Sequence, residues 1–490
     1  MISAEANQIS AIHQVKPLCC RTFRNTYEHQ VGAAGRDPYW IPIMEAESFS
    51  QNSPIHIDID VQFAILEHLD ESHTKDTIAS CAMLNHEWLS VFRPALFRSI
   101  TVKPHADKRL SSFIDFLLSH PDVAAYIQEL VLSGEAAQSL TDRYITVREY
   151  QAVMATLSHL RKLRLVSLVI GNQFLSATPH PEMEALPHGP VRPLQSLHID
   201  DCDSIGSSES PTWTHDPRPL LDILCASLSI NNLTIDNTCG SNLYDKQSTH
   251  HILSALIEPQ HRPQSPTVHT LVLNSIRPAT AAILHAYLAY TGSLEGPLTT
   301  LRVGRFGSSK SFPLFYFPML WDTRAHLTEL HLCAADVTCD LNPGLYQRTI
   351  DHFASLVALQ TLVFWVCSSF GRPGSQLTMC TPLLKPPNLR TLSFKLDPGD
   401  ALAIEFLSRM ARLPSPQASL LWGELDEALH GIKTLRAAEF AFYNKGQHTP
   451  AAGEDHFEPF RRTFERCFPM TLERGILRVR HMPGQSYGEY

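Results

Sequence analysis

The sequence predicts an α/β chain in which a ladder of parallel strands is backed by helices and preceded by a short helical module. Three observations carry that prediction. A six-residue pattern, apolar-x-x-apolar-x-apolar, returns nine times. Helix-like stretches fill the intervals between its copies. A separate group of short helical patterns lies ahead of the first copy.

The hexamers read "IQELVL" from Ile127, "LRKLRL" from Leu160, "LQSLHI" from Leu194, "INNLTI" from Ile230 and "VHTLVL" from Val268. They continue as "LTTLRV" from Leu298, "LTELHL" from Leu327, "LQTLVF" from Leu359 and "LRTLSF" from Leu389. Their middle apolar residues fall at 130, 163, 197, 233, 271, 301, 330, 362 and 392, so the period stays between 29 and 38 residues. Near-regular recurrence of a short strand is the signature of a repeat array, in which each unit buries its apolar face only by stacking on its neighbours. A strand of three to five residues followed by a helix is the arrangement of leucine-rich repeats. The period exceeds the roughly 20–29 residues usual for that class. The excess lies in polar, proline-rich inserts such as "SATPHPEMEALPHGPVRP" and "EPQHRPQSPT", which predict irregular repeats with protruding loops.

The intervals justify the helices one by one. In "VREYQAVMATLSHL", Val147, Tyr150, Met154 and Leu157 share a face. "DPRPLLDILCASL" offers Asp216 as an N-cap and Pro217 in the first turn. "TAAILHAYLAYTG" aligns Ile283 with Tyr287 and places Gly292 to end the helix. "GDALAIEFLSRMARL" has Asp400 as a cap and a stripe of Leu402, Phe406 and Met410. "GIKTLRAAEFAF" and "LERGILRVR" read as closing strands. Between them, Phe457, Phe460, Phe464 and Cys467 follow helical spacing, as a terminal cap over the last repeat requires.

Composition narrows the function. The chain has 490 residues, 44% of them hydrophobic and 18% charged, which suits folded structure rather than wholesale disorder. Lys plus Arg is 40 against 49 Asp plus Glu, a formal charge of −9, with no dense basic stripe; a dedicated nucleic-acid binder is not expected. There is no apolar run long enough for a membrane span, and the N-terminus has no secretory pattern. Eleven scattered cysteines form no framework and suit a reducing compartment, so a cytoplasmic or nuclear location is expected.

Motifs for catalysis, cofactors and metals are missing. "VGRFGSSKS" carries Gly304, Gly307, Lys310 and Ser311, but its spacing departs from a phosphate loop at both glycines. The 25 histidines include the adjacent His250 and His251 but no zinc-binding spacing; Cys333 and Cys339 lack partners nearby, and the Cys19–Cys20 pair stands alone. No Gly-x-Ser-x-Gly elbow occurs. No catalytic residue, metal ligand or cofactor is therefore expected, although catalysis at a loop above the strand ends remains a third reading behind two binding roles.

The N-terminal module comes last because the repeats make it readable. Residues 1–53 have no sustained period and read as a flexible leader. From Ile57 to Leu69, Val61, Ile65 and Leu69 are four apart, with Leu66 at the border and Phe63 pointing elsewhere. Further helices are expected over Thr77–Leu84 and His86–Phe92, with Trp88 and Phe92 aligned and Pro94 stopping the third or opening the next turn. "VQFAILEHL", "IASCAMLNHEWL" and the closing "RPALFRSITV" together resemble an F-box, in the variant that precedes leucine-rich repeats in many fungal proteins. The final "LERGILRVR" is similar to the tail of such proteins.

The resemblance implies a three-helix F-box-like module at 54–102, a leucine-rich-repeat solenoid with a terminal cap at 103–480 and a tail at 481–490. It also implies an intracellular substrate receptor of an SCF-type ubiquitin ligase. Its partners would be a Skp-type adaptor, through it a cullin scaffold, and a protein substrate. The adaptor face would include Ile57, Ile59, Phe63, Leu66, Ile78 and Met83, with Trp88 joining the module to the first repeat. One departure stands out: the family opens with Leu-Pro, and this chain has Ile57-Asp58, a carboxylate where an apolar contact is expected. The alternative is a protein-interaction scaffold whose F-box-like helices only cap the solenoid. On either reading, strand alternation turns Glu129, Val131, Arg164, His198, Thr234, Arg302 and His331 outward as the substrate surface. A protein fits that mixed surface better than a small molecule.

Overall fold

The computed structural model describes residues 57–71, 75–104, 110–135, 143–171, 192–205, 218–236, 267–276, 278–304, 312–338, 343–367, 373–397, 416–444 and 457–483. The leader at 1–53, Asp216, Pro217 and the helix expected from Asp400 through Leu402, Phe406 and Met410 lie outside them. So do Gly307, Lys310, Ser311, His250, His251, Cys339, Cys19 and Cys20, together with most of both proline-rich inserts. The chain divides into two units, Met1–Lys103 and Pro104–Tyr490.

In the first unit, α1 (Ile59–Glu71), α2 (Lys75–Ala82) and α3 (His86–Arg98) precede β1 (Ser99–Val102). Its core is Ile78, Ala82, Trp88, Val91 and Phe92, with Ile65, Leu66 and Leu69 of α1 packed against it. Trp88 stacks on Phe92 at 5.1 Å, so the tryptophan serves this module's own centre. Two expectations are corrected. Val61 is 48% exposed, while Gln62 is buried among the inward residues. A row of residues four apart winds about 40° per step around a helix, whereas 62, 65, 66 and 69 stay centred on one face. Pro94 does not end α3, which continues to Arg98. The lost hydrogen bond is offset because Ala95 and Leu96, beyond the proline, still pack on the core. Asn85 caps α3 by accepting from the Trp88 amide at 3.0 Å.

In the second unit the main sheet contains β2 (Glu129–Ser133), β4 (Lys162–Val166), β6 (Arg192–Asp200), β8 (Ser227–Asp236) and β9 (Val268–Asn274). It continues through β10 (Thr300–Val303), β11 (Glu329–Cys333), β12 (Thr361–Cys367), β13 (Thr391–Asp397), β14 (Ala437–Asn444) and β15 (Leu477–Pro483). These strands lie side by side in that order, every neighbouring pair parallel. The large parallel sheet backed by helices is compatible with a solenoid-like arrangement. The last strand runs through Pro483, past the expected limit at 480.

Register explains the hexamers. Leu130, Leu163, Leu197, Leu233, Leu271, Leu301, Leu330, Leu362 and Leu392 stand abreast, each almost fully buried. Removing each such leucine from water stabilises the fold by about 1.5–3 kcal/mol. Two residues on, the inward position changes from Leu132, Leu165, Ile199, Ile235 and Leu273 to Phe364, Phe394 and Phe440, again in register. Phe394 stacks on Phe364 at 5.7 Å and on Phe440 at 5.0 Å.

The backing helices behind this core include α6 (Val147–Thr156), α7 (Arg218–Cys225), α8 (Pro278–Tyr290) and α13 (Pro416–Gly431). In α6 the Thr146 hydroxyl accepts from the Glu149 amide at 3.0 Å, and the Glu149 carboxylate accepts from the Thr146 amide at 2.8 Å, a complete capping box. Ile283 and Tyr287 of α8 are buried, and Gly292 follows the helix with φ 69°, a left-handed turn suited to glycine.

At the end of the early strands the backbone turns through left-handed residues: Ser167 (φ 51°), Asp201 (φ 50°) and Ser275 (φ 51°). The ladder runs through these corners, with the Ser167 amide donating to the Asp200 carbonyl and the Asp201 amide to the Asp236 carbonyl. Gly134 sits in the same position after β2, where a β-carbon would run into the Ser167 carbonyl and the Arg143 side chain. Beyond the corners, β3 (Tyr144–Thr146), β5 (Val169–Gly171) and β7 (Asp203–Ile205) form a second, small parallel sheet.

The far end is sealed by α14 (Phe457–Glu465) and α15 (Pro469–Glu473). Phe464 and Phe468 pack on Phe440 and Trp422 at 5.0–5.7 Å. The buried Asp426 carboxylate of α13 accepts from the amides of Met470 and Thr471, each at 2.9 Å, and from the Thr471 hydroxyl. The Arg474 guanidinium donates to the carbonyls of Leu429 and His430, which the end of α13 leaves without intrahelical partners, and to those of Ile432 and Leu435 in the connection that follows, at 2.7–3.3 Å.

Candidate interaction surfaces

Two surfaces follow from this framework. On the helical module, Ile59 (46%), Phe63 (49%) and Met83 (74%) are exposed, with Leu84 (65%) beside Met83 in the turn after α2. Ile59 and Phe63 are four apart and share a side of α1. The other expected adaptor residues are placed differently. Ile57 and Leu66 pack against the module's core, and Ile78, 4% exposed, belongs to it. Ile78 is withdrawn from the surface because α2 is short and its inward position must be filled to join the other two helices.

Asp58 causes no buried-charge problem. It is exposed and its carboxylate accepts from the Asp60 amide at 3.0 Å, while its carbonyl accepts from the Gln62 amide, starting α1. The residue therefore acts as a helix-starting acceptor. Gln62 donates to the Ile57 carbonyl at 2.9 Å, and its Oε1 has no partner among the described residues.

On the ladder, the outward residues expected from alternation do come together. Val131, Arg164, His198, Thr234, Arg302 and His331 stand in a single row, continued by Val272 between Thr234 and Arg302 and by Val363, Ser393 and Glu439 after His331. Glu129 lies two residues earlier on β2 and pairs with Lys162 at 2.7 Å. His331 is corrected in one respect: although it projects from the outward side, it is only 7% exposed. Its ring bonds to Glu329 within the same strand and lies between Arg302 and Val363 of the flanking strands.

Sequence reasoning stopped at the hexamers and missed the row two residues further on. That row holds Asp200, Asp236 and Asn274 on the early strands and Trp365, Lys395, Ala441 and Arg480 on the late ones. The same alternation, carried two residues past each hexamer, points to them. Early in the ladder, Arg164 pairs with Asp200 at 3.1 Å, His198 contacts Asp236 at 2.8 Å, and Asn274 donates to Asp236.

Later in the ladder the chemistry changes. One oxygen of Glu329 accepts from His331 at 2.6 Å and from Arg302 at 3.0 Å. The His331 bond, with Arg302 adding to it and burial opposing, holds the Glu329 carboxyl down at about 2. Burial lowers the pKa of His331 below the usual histidine range and that of Lys395 below the usual lysine range, Arg302 adding to both. The Lys395 ammonium lies 4.4 Å from the centre of the Trp365 ring, within a small apolar group of Trp365, Ala441, Tyr443 and Met482. Arg480 pairs with Glu439 at 3.1 Å.

Among the described residues no group of His, Cys, Asp and Glu is placed to hold a metal ion. No helix of these residues is long and apolar enough to cross a membrane. A scan of the sequence against protein-family models finds no match, and a search of curated proteins finds none.

Proposed function

We propose that this chain is the substrate-recognition subunit of an SCF-type ubiquitin ligase, an F-box module joined to a leucine-rich-repeat solenoid. The carrying observation is the helical module itself. It forms its own unit with its own core, yet leaves Ile59, Phe63 and Met83 in water. Scattered exposed apolar residues are ordinary, but three large ones on so small a module fit a docking face. A Skp-type adaptor would cover them and link the chain to a cullin, in the cytoplasm or the nucleus. The ladder's outward face would hold the protein substrate. Ubiquitin chemistry would belong to partner enzymes, so this chain needs no catalytic group.

Co-expression with a Skp-type adaptor tests the reading. The wild-type chain retains the adaptor through affinity purification, and the Phe63→Ala/Met83→Ala variant loses it. Because both side chains are exposed, the variant's melting temperature stays close to wild type. A wild-type chain that retains no adaptor would leave the helices as a cap on a repeat scaffold and overturn the receptor role.

A further inference from the structure

We propose that the strand-entry edge of the last repeats, the turns that lead into β13 and β14, docks an acidic segment of a protein partner, its Asp or Glu carboxylates seated on Arg390 and Arg436. This names the chemistry of the captured segment and rests on the reading of the chain as a substrate receptor.

Register brings the two arginines together. A row of residues crosses the ladder just ahead of its strands, in the second position of each hexamer. Along it the Gln360 amide donates to the Thr328 carbonyl, the Arg390 amide to the Gln360 carbonyl and the Arg436 amide to the Arg390 carbonyl, at 2.7–2.9 Å. Arg161, in the same position before β4, stands between Gln128 and Gln195, whereas Arg390 and Arg436 are immediate neighbours. Adjacent strands are about 4.8 Å apart, and like charges set opposite each other there are destabilising. An anion lying across the pair removes that repulsion.

The sequence has no basic run, yet the fold assembles a basic patch here. The turns "LKPPNLR" from Leu384 and "GIKTLR" from Gly431 hold four cations, Lys385, Arg390, Lys433 and Arg436, and no Asp or Glu. The Thr434 hydroxyl donates to the Pro387 carbonyl at 3.4 Å and joins the turns. All four cations are exposed, and none of their side chains has a hydrogen-bond or ion-pair partner among the described residues. The exposed acids of the flanking helices, Glu427 on α13 and Glu473 on α15, do not pair with them.

Cations also collect near helix C-termini to meet unpaired carbonyls. Arg474 does so here, bonding carbonyls from Leu429 to Leu435. Lys433 and Arg436 flank those carbonyls and donate to none of them. Arg474 thus fixes the turn that presents them, and their own donors stay open to a ligand.

Arginine meets a carboxylate with two parallel hydrogen bonds, so the pair suits side-chain acids. Beside it the surface is apolar: Val357 is 50% exposed, its carbonyl accepts from the Asn388 amide group at 2.7 Å, and Pro387 is exposed as well. A segment with an apolar residue next to its acids fits both parts. A nucleic-acid backbone repeats its charge at every nucleotide and would need the cations to continue along the row, where Gln360 and Thr328 stand instead.

Fluorescence anisotropy on the full-length chain tests this with a short labelled peptide of Glu, Val and Gly and a counterpart carrying Gln for Glu. The acidic peptide should bind about tenfold or more tightly than the Gln peptide, and its affinity should fall as salt rises. Arg390→Glu/Arg436→Glu should weaken it by about tenfold or more, and Arg390→Gln/Arg436→Gln by a smaller factor. Arg161→Glu should leave it within about twofold. Because the arginines have no partner to lose, the melting temperature of the Gln variant should stay at or above that of wild type; a clear fall would make them structural and overturn the proposal. Equal binding of the two peptides, binding of neither, indifference to the Glu variant, or displacement by an equal concentration of single-stranded oligonucleotide would each overturn it too. Adaptor retention in the same preparations reports on the helical module separately, so failure of one reading is distinguishable from failure of the other.

Discussion

The early and late strands of the ladder share one register but differ on both sides of the sheet. From β2 to β9 the second inward row is Leu and Ile, and the outward rows carry Asp200, Asp236 and their partners. From β12 to β14 the same inward position is phenylalanine, and the outward rows carry Trp365, Lys395 and Tyr443. A repeat backbone fixes spacing and direction, and it leaves side-chain size and charge free to vary along its length. The late strands stand next to the cap, where Phe464, Phe468 and Trp422 meet Phe440. Bulk accumulates where repetition stops and the sheet needs another kind of closure.

Replacing the middle of the phenylalanine stack should have the largest effect. Phe394→Ala is expected to cost about 3–5 kcal/mol, read as a fall in the urea midpoint. Leu233→Ala, in the aliphatic half, should cost less, because stacked rings add about 0.5–1.5 kcal/mol per pair beyond their buried area. Equal costs would erase the distinction between the halves. Next comes the cap, where Asp426→Ala leaves the buried Thr471 amide without its acceptor and should cost about 2–4 kcal/mol by the same measurement.

Gly134→Ala tests the corner of the early half. The added methyl must displace the Ser167 carbonyl or the Arg143 side chain, so a loss of about 1–3 kcal/mol is expected in thermal unfolding. Gly423→Ala, which meets nothing, provides the control and should be neutral or slightly stabilising.

The smallest effect concerns pH. With Glu329 at about 2 in the folded chain and 4.5 without perturbation, the unfolded state binds more protons between those values. Stability from this carboxylate is therefore present above 4.5 and lost as pH falls towards 2. His331, lowered from 6.5, acts in the same direction below 6.5. Glu329→Gln should flatten the acid limb of the stability curve; an unchanged limb would detach this ion pair from the late half's stability.

Much of the ladder was legible because two signals coincide, the alternation within each hexamer and the nearly even distance between hexamers. Either alone would leave strand and buried helix hard to separate. The corners were not legible: Ser167 and Ser275 adopt left-handed conformations that serine does not announce, and Asp201, of a type that tolerates them, stands in no turn signal with glycine. The capping box at Thr146 and Glu149 was written in "TVRE" and passed over. Pro94 misled because local preference favours a break, whereas packing on both sides of the proline keeps α3 whole. For the surface, the row itself was readable, but the burial of His331 depends on residues from other repeats that only folding makes its neighbours.

The outermost strand raises a question of growth. A parallel ladder adds strands one at a time, and every new edge is as competent to accept the next strand as the last one was. Left unchecked, such an edge is a template on which copies of the chain could polymerise. β15 carries Arg478 and Arg480 on exposed positions and finishes at Pro483, which brings no amide hydrogen. Two like charges would face their own copies across a mismatched joint, and the proline removes a donor from any further rung. The strand that completes the sheet is thereby a poorer template for a further strand than the strands before it.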